Sequence, residues 1–551
     1  MMLSTKTRSR VARAAFTALL MSSAATAALA APKHHAASAG QNAALAAEVK
    51  ELRAQVEELK AAVAAQAQAQ TQPAQQTQAQ QAQIESLGQQ LADMKAAQDT
   101  ATADIITLKA PPSGATVIPT LPNGKPAFAT ADGRFTANVR AIVMFDAGAY
   151  LQKHNLQAAI TGASRDLNDG TNFRRARFGV DGKLFKDFDY ALIYEFGGSG
   201  GEDAGHIQEA WAQYTGLKPV RIKLGAFEPN IGLAAAVSTS QMPLMERPAA
   251  AEIARNVAAG DSRSALQVAG NGIFGEGDSG IATRWFFSTA VTGNTVGTIN
   301  STGSSAAQPF GEQQAWIGRI ALAPFDTTNW QAHFGLNAQY VFHPNDATGA
   351  GAPRYPVQLR DRPELRIDGT RLVDTSAIDA RHVSVYGAEA GLTAANFLVE
   401  SEYFKYKIDR RNPTGVSQGN PDFDGWYVQG AWVLTGESRP YNPTEARFDA
   451  PKMAYNFNPA AGTWGALELA ARYSEVNLNW HEGAVGTAPS AGAVRGGEQK
   501  IATVGVNWYL NPDIRFMLDY SHVEIDRLVQ TTGADLGQKF NTIALRSQLT
   551  F

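Results

Sequence analysis

Basic residues sit at alternate positions in several stretches of this chain. Arg175 and Arg177 are one such pair, and Arg221 and Lys223 are another. Arg140, Arg284, Arg319, Arg472, Arg515 and Arg546 each occupy the polar phase of an alternating apolar/polar run. In a strand, residues two apart share a face, so each run directs its cations to one side of a sheet. A guanidinium keeps its charge at all relevant pH and presents a planar fork that matches an oxyanion. The chemistry on offer is therefore anion contact. Glu195, Glu209, Glu400, Glu402, Glu468 and Asp519 lie on the same phase. The cations either pair with these acids and brace a wall, or a subset stays open to a passing anion.

The elements that must carry these residues are strands. From Gly133 to the end the hydropathy period is 2. The last eleven residues, Asn541 to Phe551, alternate Ile543, Leu545 and Leu549 with Thr542, Arg546 and Gln548, and stop on an aromatic. About sixteen such stretches are predicted, an even number within the range of bacterial barrels. Short connections (Lys186-Asp187, Ala395, Asn511-Pro512) alternate with long ones (151–170, 228–264, 344–382, 408–424, 479–498, 526–539). That alternation of loop length belongs to a transmembrane barrel with turns at one rim and loops at the other. One connection breaks the rule, because 436–463 is long where a short turn is due. The expected fold is thus an all-β transmembrane antiparallel barrel with an amino-terminal α-helical coiled-coil segment.

The chain of 551 residues divides into four parts. Residues 1–30 read as a signal peptide: Lys6, Arg8, Arg10 and Arg13 precede an apolar stretch and the small-x-small Ala28-Leu29-Ala30. Residues 41–109 read as a coiled coil. Leu45, Val49, Leu52, Val56, Leu59 and Val63 are spaced as a heptad seam, and the seam resumes at Ile84 after an Ala/Gln hinge containing Pro73. Residues 110–133 form a Pro-containing linker, and 134–551 the barrel. A seam needs other chains, so a homo-oligomer is expected.

Composition excludes several classes. There are 0 cysteines, which removes disulfides, thiolate metal ligands and a thiol nucleophile. The net charge of -3 gives no bulk basic signal for nucleic acid. Gly197 to Gly201 is glycine-rich but leads into no helix, so it is no phosphate-cradling loop. His333 has acids on nearby strands but no nucleophile with a recognisable neighbourhood. No enzyme activity, cofactor or metal is expected.

The phrases Phe173-Arg174-Arg175-Ala176-Arg177, Leu434-Thr435-Gly436-Glu437-Ser438-Arg439-Pro440-Tyr441, Ala471-Arg472-Tyr473-Ser474, Asn507-Trp508-Tyr509-Leu510-Asn511-Pro512 and Leu545-Arg546-Ser547-Gln548 resemble the phosphate-selective porin O and P family. The resemblance spans the segment after Gly133. It implies a sixteen-stranded barrel in the outer membrane of a Gram-negative bacterium, contact with membrane lipid, a homotrimer, and a channel for small anions such as phosphate. It implies that 228–264 folds into the lumen, with further inward segments in 344–382 and 436–463. On that basis Arg247, Arg255 and Arg263, with Arg360, Arg362 and Arg366, are constriction candidates. A dense lysine cluster like that of the phosphate-specific members is not seen. A porin of different selectivity stays open. So does a mainly structural tether, in which a periplasmic coiled coil contacts the cell wall.

Overall fold

The computed structural model describes residues 39–69, 85–90, 92, 93, 95, 117–120, 126–198, 205–260, 262–275, 282–296, 312–324, 330–347, 353–412, 415 and 417–551. The expected export signal, residues 70–83 of the Ala/Gln hinge expected over 64–83, and most of the second heptad run lie outside these residues, while 64–69 of that hinge continue the first helix. The chain forms two compact units, 1–116 and 117–551. In the first, α1 (Ala39–Ala69) is a 31-residue helix over the first heptad run.

The second unit is a barrel of 16 strands. They are β1 (Thr136–Leu151), β2 (Gly170–Leu184), β3 (Phe188–Glu195), β4 (His206–Tyr214), β5 (Val220–Phe227), β6 (Arg263–Phe274), β7 (Thr283–Thr295) and β8 (Gln314–Ala323). The second half comprises β9 (Trp330–His343), β10 (Ile378–Ala394), β11 (Phe397–Arg410), β12 (Asp422–Val433), β13 (Ala466–Trp480), β14 (Val494–Tyr509), β15 (Ile514–Asp526) and β16 (Gln538–Thr550). Each pairs antiparallel with its sequence neighbours. The ring closes where β16 pairs with β1, from Asn541 opposite Leu151 to Thr550 opposite Ile142. Closure satisfies every strand edge, which hydrocarbon demands of any backbone within it. Within the stretch expected as an extended linker, Val117–Thr120 and Ala127–Thr130 pair as a hairpin, and the second strand adds to β1.

Period-2 alternation sorts the side chains. Phe178, Leu192, Leu224, Ile320, Phe334 and Leu336 are each more than half exposed on the outer face. Arg319, Glu389, Glu402, Glu468, Arg515 and Arg546 are buried within. Local chemistry closes the short turns: the Asn511 side chain accepts from the amides of Asp513 (2.9 Å) and Ile514 (2.8 Å), an Asx turn between β14 and β15. Near the same rim the Trp508 indole donates to the Trp464 carbonyl at 2.8 Å, beside Phe457 and Phe516. Such a cluster matches the aromatic girdle of a membrane barrel.

The inner face is packed. Segment 228–262, between β5 and β6, contains α2 (Leu233–Ala236) and α3 (Ala249–Ala258). Ala249, Ala250, Ile253 and Ala254 of α3 share one buried cluster with Tyr406, Phe423, Tyr427 and Val476 of β11, β12 and β13. The described residues of segments 344–377 and 434–465 also turn inward, the latter from the short-turn rim: Glu364 meets Arg472 and Arg439 meets Glu468, both on β13. That explains the connection that broke the length rule.

Candidate functional site

The site is built from barrel arginines that grip infolded backbone. Arg319 on β8 makes a two-pronged pair with Glu389 on β10 (2.8 and 2.7 Å) and donates to the carbonyls of Glu445 (3.0 Å) and Ala446 (2.7 Å). Arg515 on β15 donates to the Met242 carbonyl at 2.8 Å and to Gln548 at 3.0 Å. Arg472 on β13 donates to the Glu246 carbonyl at 2.8 Å and pairs with Glu364. Arg546 on β16 pairs with Asp146 and Glu246, and donates to the Met245 carbonyl. The reverse arrangement also occurs: Arg439 of segment 434–465 pairs with Glu468 of β13 at 2.8 Å on both oxygens. A buried ion pair recovers its desolvation cost only when its remaining donors are satisfied. Here loop carbonyls take up most of them, with the buried Nε–H groups of Arg472 and Arg515 left over, so the charges fix where the loops lie.

Glu246 is the hub of the β5–β6 segment. Its carboxylate takes Arg174 at 2.7 and 3.0 Å, Arg546 at 2.7 Å and Arg366 at 3.5 Å. These guanidiniums outweigh burial and hold Glu246 well below the usual carboxylate range. Glu252 pairs with Arg255 (3.0 Å) and Arg366 (2.8 Å) and is likewise depressed. Asp361, 3.8 Å from Arg366, goes the other way: burial pushes it up to about 6. Arg247 donates to the carbonyls of Ala234 (2.8 Å) and Val237 (2.9 Å), stapling its own segment, and Arg263 does the same through Gly260 (3.1 Å).

The other cations lie along β1 to β5. Arg177 contacts Glu195 at 2.6 Å and Arg175 contacts it at 3.9 Å. Arg221 donates to Asn271 at 2.7 Å and approaches Glu445 at 3.7 Å. Arg140 is half exposed and pairs with Asp181. Lys223 differs: its ammonium stands 3.9 Å over the Trp211 ring and 4.5 Å over Phe227. No carboxylate pairs with it among the described residues.

At the long-loop end a cavity of about 340 Å³ opens between α3, β9, β10 and segment 344–377. Arg360, Arg362, Arg366 and Arg371 line it, with Glu252 and Asp361 as its carboxylates.

The family model described as phosphate-selective porin O and P matches residues 154–551. The chain belongs to this family. As a porin of the family it resides in the outer membrane of a Gram-negative bacterium. Porin O of Pseudomonas aeruginosa is 27% identical over 393 residues, covering 68% of this chain and 81% of that protein. An uncharacterized protein of Caulobacter vibrioides is 24% identical over 430 residues, covering 78% and 76%. Among solved structures, the anion-selective porin from Comamonas acidovorans is 13% identical at a TM-score of 0.41, over 76% of this chain and 100% of that one.

Three arginines of this porin's site, Arg174, Arg371 and Arg439, fall outside the candidates that the sequence offered. Arg174 falls on the apolar phase, but the register shifts between Met144 and Phe145 of the facing strand. This bulge leaves both Arg174 and Arg175 buried, and Arg174 reaches Glu246. Arg371 and Arg439 lie in segments without a period. The Arg439 phrase was visible only as part of the family resemblance.

Proposed function

We propose that this porin is a passive outer-membrane channel for small anions, with phosphate or related oxyanions favoured, and that it works as a homotrimer. The observation that carries the reading is the cavity at the long-loop end, where four arginines stand against two carboxylates. A cleft with a surplus of one sign concentrates the opposite ion at its mouth, and basic rings select anions in pores. The family's description as phosphate-selective supports the same reading. From that entrance an anion would descend past Arg177 and Lys223 toward the Arg140 rim, opposite the wall against which α3 packs. The remaining arginines, Arg221, Arg247, Arg255, Arg319, Arg472, Arg515 and Arg546, would act on the path mainly by holding the loops that bound it, and Arg175 by its place beside Glu195 in the wall.

One charge pair at about 5 Å and an effective dielectric near 20 contributes on the order of 3 kcal/mol. A millimolar site needs about 4 kcal/mol. Two or three basic contacts therefore suffice for binding, less desolvation, and weak sites in series keep release fast. Single-channel current in a planar bilayer under a salt gradient tests this. An anion-side reversal potential with chloride current blocked by added phosphate is expected, and cation preference overturns the selectivity.

A second reading gives the amino-terminal segment a periplasmic role as a tether to the cell wall. The 31-residue helix α1, roughly 46 Å long at the α-helical rise, favours it. Deleting 41–109 should then cause envelope defects while conductance is unchanged.

A further inference from the structure

We infer that Trp211 is a positioning residue of the anion path: its indole holds the Glu209 carboxylate at one edge and the Lys223 ammonium over one face, and so keeps the two from pairing. The inference rests on the anion-channel reading and adds a residue to it. Glu209 and Trp211 are two apart on β4 and share the inward face with Lys223, Gly225 and Phe227 of β5. Trp211 stands opposite Gly225. A β-carbon at Gly225 would lie 2.7 Å from the Trp211 Cα, so no side chain fits there between Lys223 and Phe227. Along that gap the Lys223 ammonium reaches the Trp211 ring at 3.9 Å and the Phe227 ring at 4.5 Å. The Trp211 indole N–H donates to Glu209 Oε2 at 2.8 Å.

Glu209, Glu445 and Arg221 are the charges close enough to act on Lys223. Glu445 lies 3.7 Å from Arg221. Glu209 makes no ion pair among the described residues, and neither does Lys223. Opposite charges this near attract strongly in a partly dry wall. Elsewhere in this barrel they meet directly, as Arg177 meets Glu195 at 2.6 Å and Arg319 meets Glu389 at 2.7 Å. An indole N–H is a donor without charge, so it satisfies the carboxylate and does not neutralise it. A ring face attracts an ammonium without supplying an anion. Each charge is thus held by the ring rather than by the other, and Lys223 stays available to a passing anion.

Reversal potentials of Trp211→Phe, Glu209→Gln and the double variant in planar bilayers test this. Phe keeps an aromatic face and removes the N–H donor. Trp211→Phe should move the anion-to-cation permeability ratio toward cations by about fivefold, as loss of one lumen charge would. In the Glu209→Gln background the same substitution should leave the ratio unmoved. An equal shift in both backgrounds means that Trp211 acts through packing alone, and no shift in either means that the acid does not reach the lysine. Both results overturn the inference. If Trp211→Phe fails to fold, as judged by heat-modifiable mobility, Trp211→Met is compared in the same two backgrounds. A wild-type barrel that prefers cations overturns the anion reading alone, because the dependence of the Trp211 shift on Glu209 is still read from the same ratios. If the barrel is silent, reductive methylation of Lys223 with formaldehyde, read by mass spectrometry, replaces current. Slower methylation in Trp211→Phe that Glu209→Gln reverses supports the inference, and an unchanged rate overturns it.

Discussion

Arg546 and Asp146 face each other across the seam that closes the barrel, 400 residues apart in sequence and joined by two bonds of 2.7 Å. Both are buried. Removing Arg546 leaves the Asp146 charge buried and unpaired, a loss of about 3–5 kcal/mol, whereas Arg546 without Asp146 keeps Glu246 at 2.7 Å, so that loss is smaller. Asp146→Asn and Arg546→Met should each lower the temperature at which the folded gel band disappears. The double variant Asp146→Leu/Arg546→Met should lose less than the two single losses added, since it leaves neither charge stranded.

Lys223 should set ion preference more strongly than its buried neighbours. The charge of Arg319 is offset by Glu389 in direct contact, whereas Lys223 stands over the Trp211 and Phe227 rings with no carboxylate in direct ion-pair contact among the described residues. About 1 kcal/mol of lost attraction would change the anion-to-cation permeability ratio by about fivefold. Reversal potentials of Lys223→Gln should move toward the cation side by that factor. A smaller shift than in Arg140→Gln would count against this role.

The cavity should hold anions better in mild acid. Asp361 titrates near 6 because burial disfavours its charge, and it faces Arg362, Arg366 and Glu252. Below that pH it is neutral and the surplus of positive charge grows by one. Above it, the ionised carboxylate opposes an entering anion. Benzenesulfonate, whose charge is constant, should therefore bind more tightly at pH 5 than at pH 8. Asp361→Asn should keep the tighter affinity at both. The same sign governs folding: a carboxyl raised in the fold favours it at low pH, and this contribution fades as pH rises through 6.

Glu246 predicts the opposite dependence. Its depressed carboxyl favours the fold above the ordinary carboxylate range, and this contribution is lost only as pH falls through its low folded value. The β5–β6 segment should stay docked at pH 5, with unchanged single-channel conductance. Glu246→Gln should free the segment already at pH 7, seen as larger and noisier current steps.

Most of the barrel was legible because lipid and lumen impose one period on every strand. Leu545 and Arg546 fall on opposite faces for that reason alone. Pairing was not legible, since the partner of Arg546 comes from β1 and that of Arg472 from segment 344–377. Arg174 was hidden by a bulge, a defect in the very period that exposed Arg175 and Arg177. The inward course of the three long connections came from family resemblance. Nothing in their own residue pattern reports a direction, because their polar groups are satisfied by distant carbonyls and carboxylates.

The seam between β16 and β1 joins more than the wall. Arg546 links Asp146 of β1 to the Glu246 carboxylate and the Met245 carbonyl of segment 228–262. The position of the infolded segment is thereby tied to closure of the ring. A barrel parted at that seam would lose one of the clamps on its contents together with its continuity.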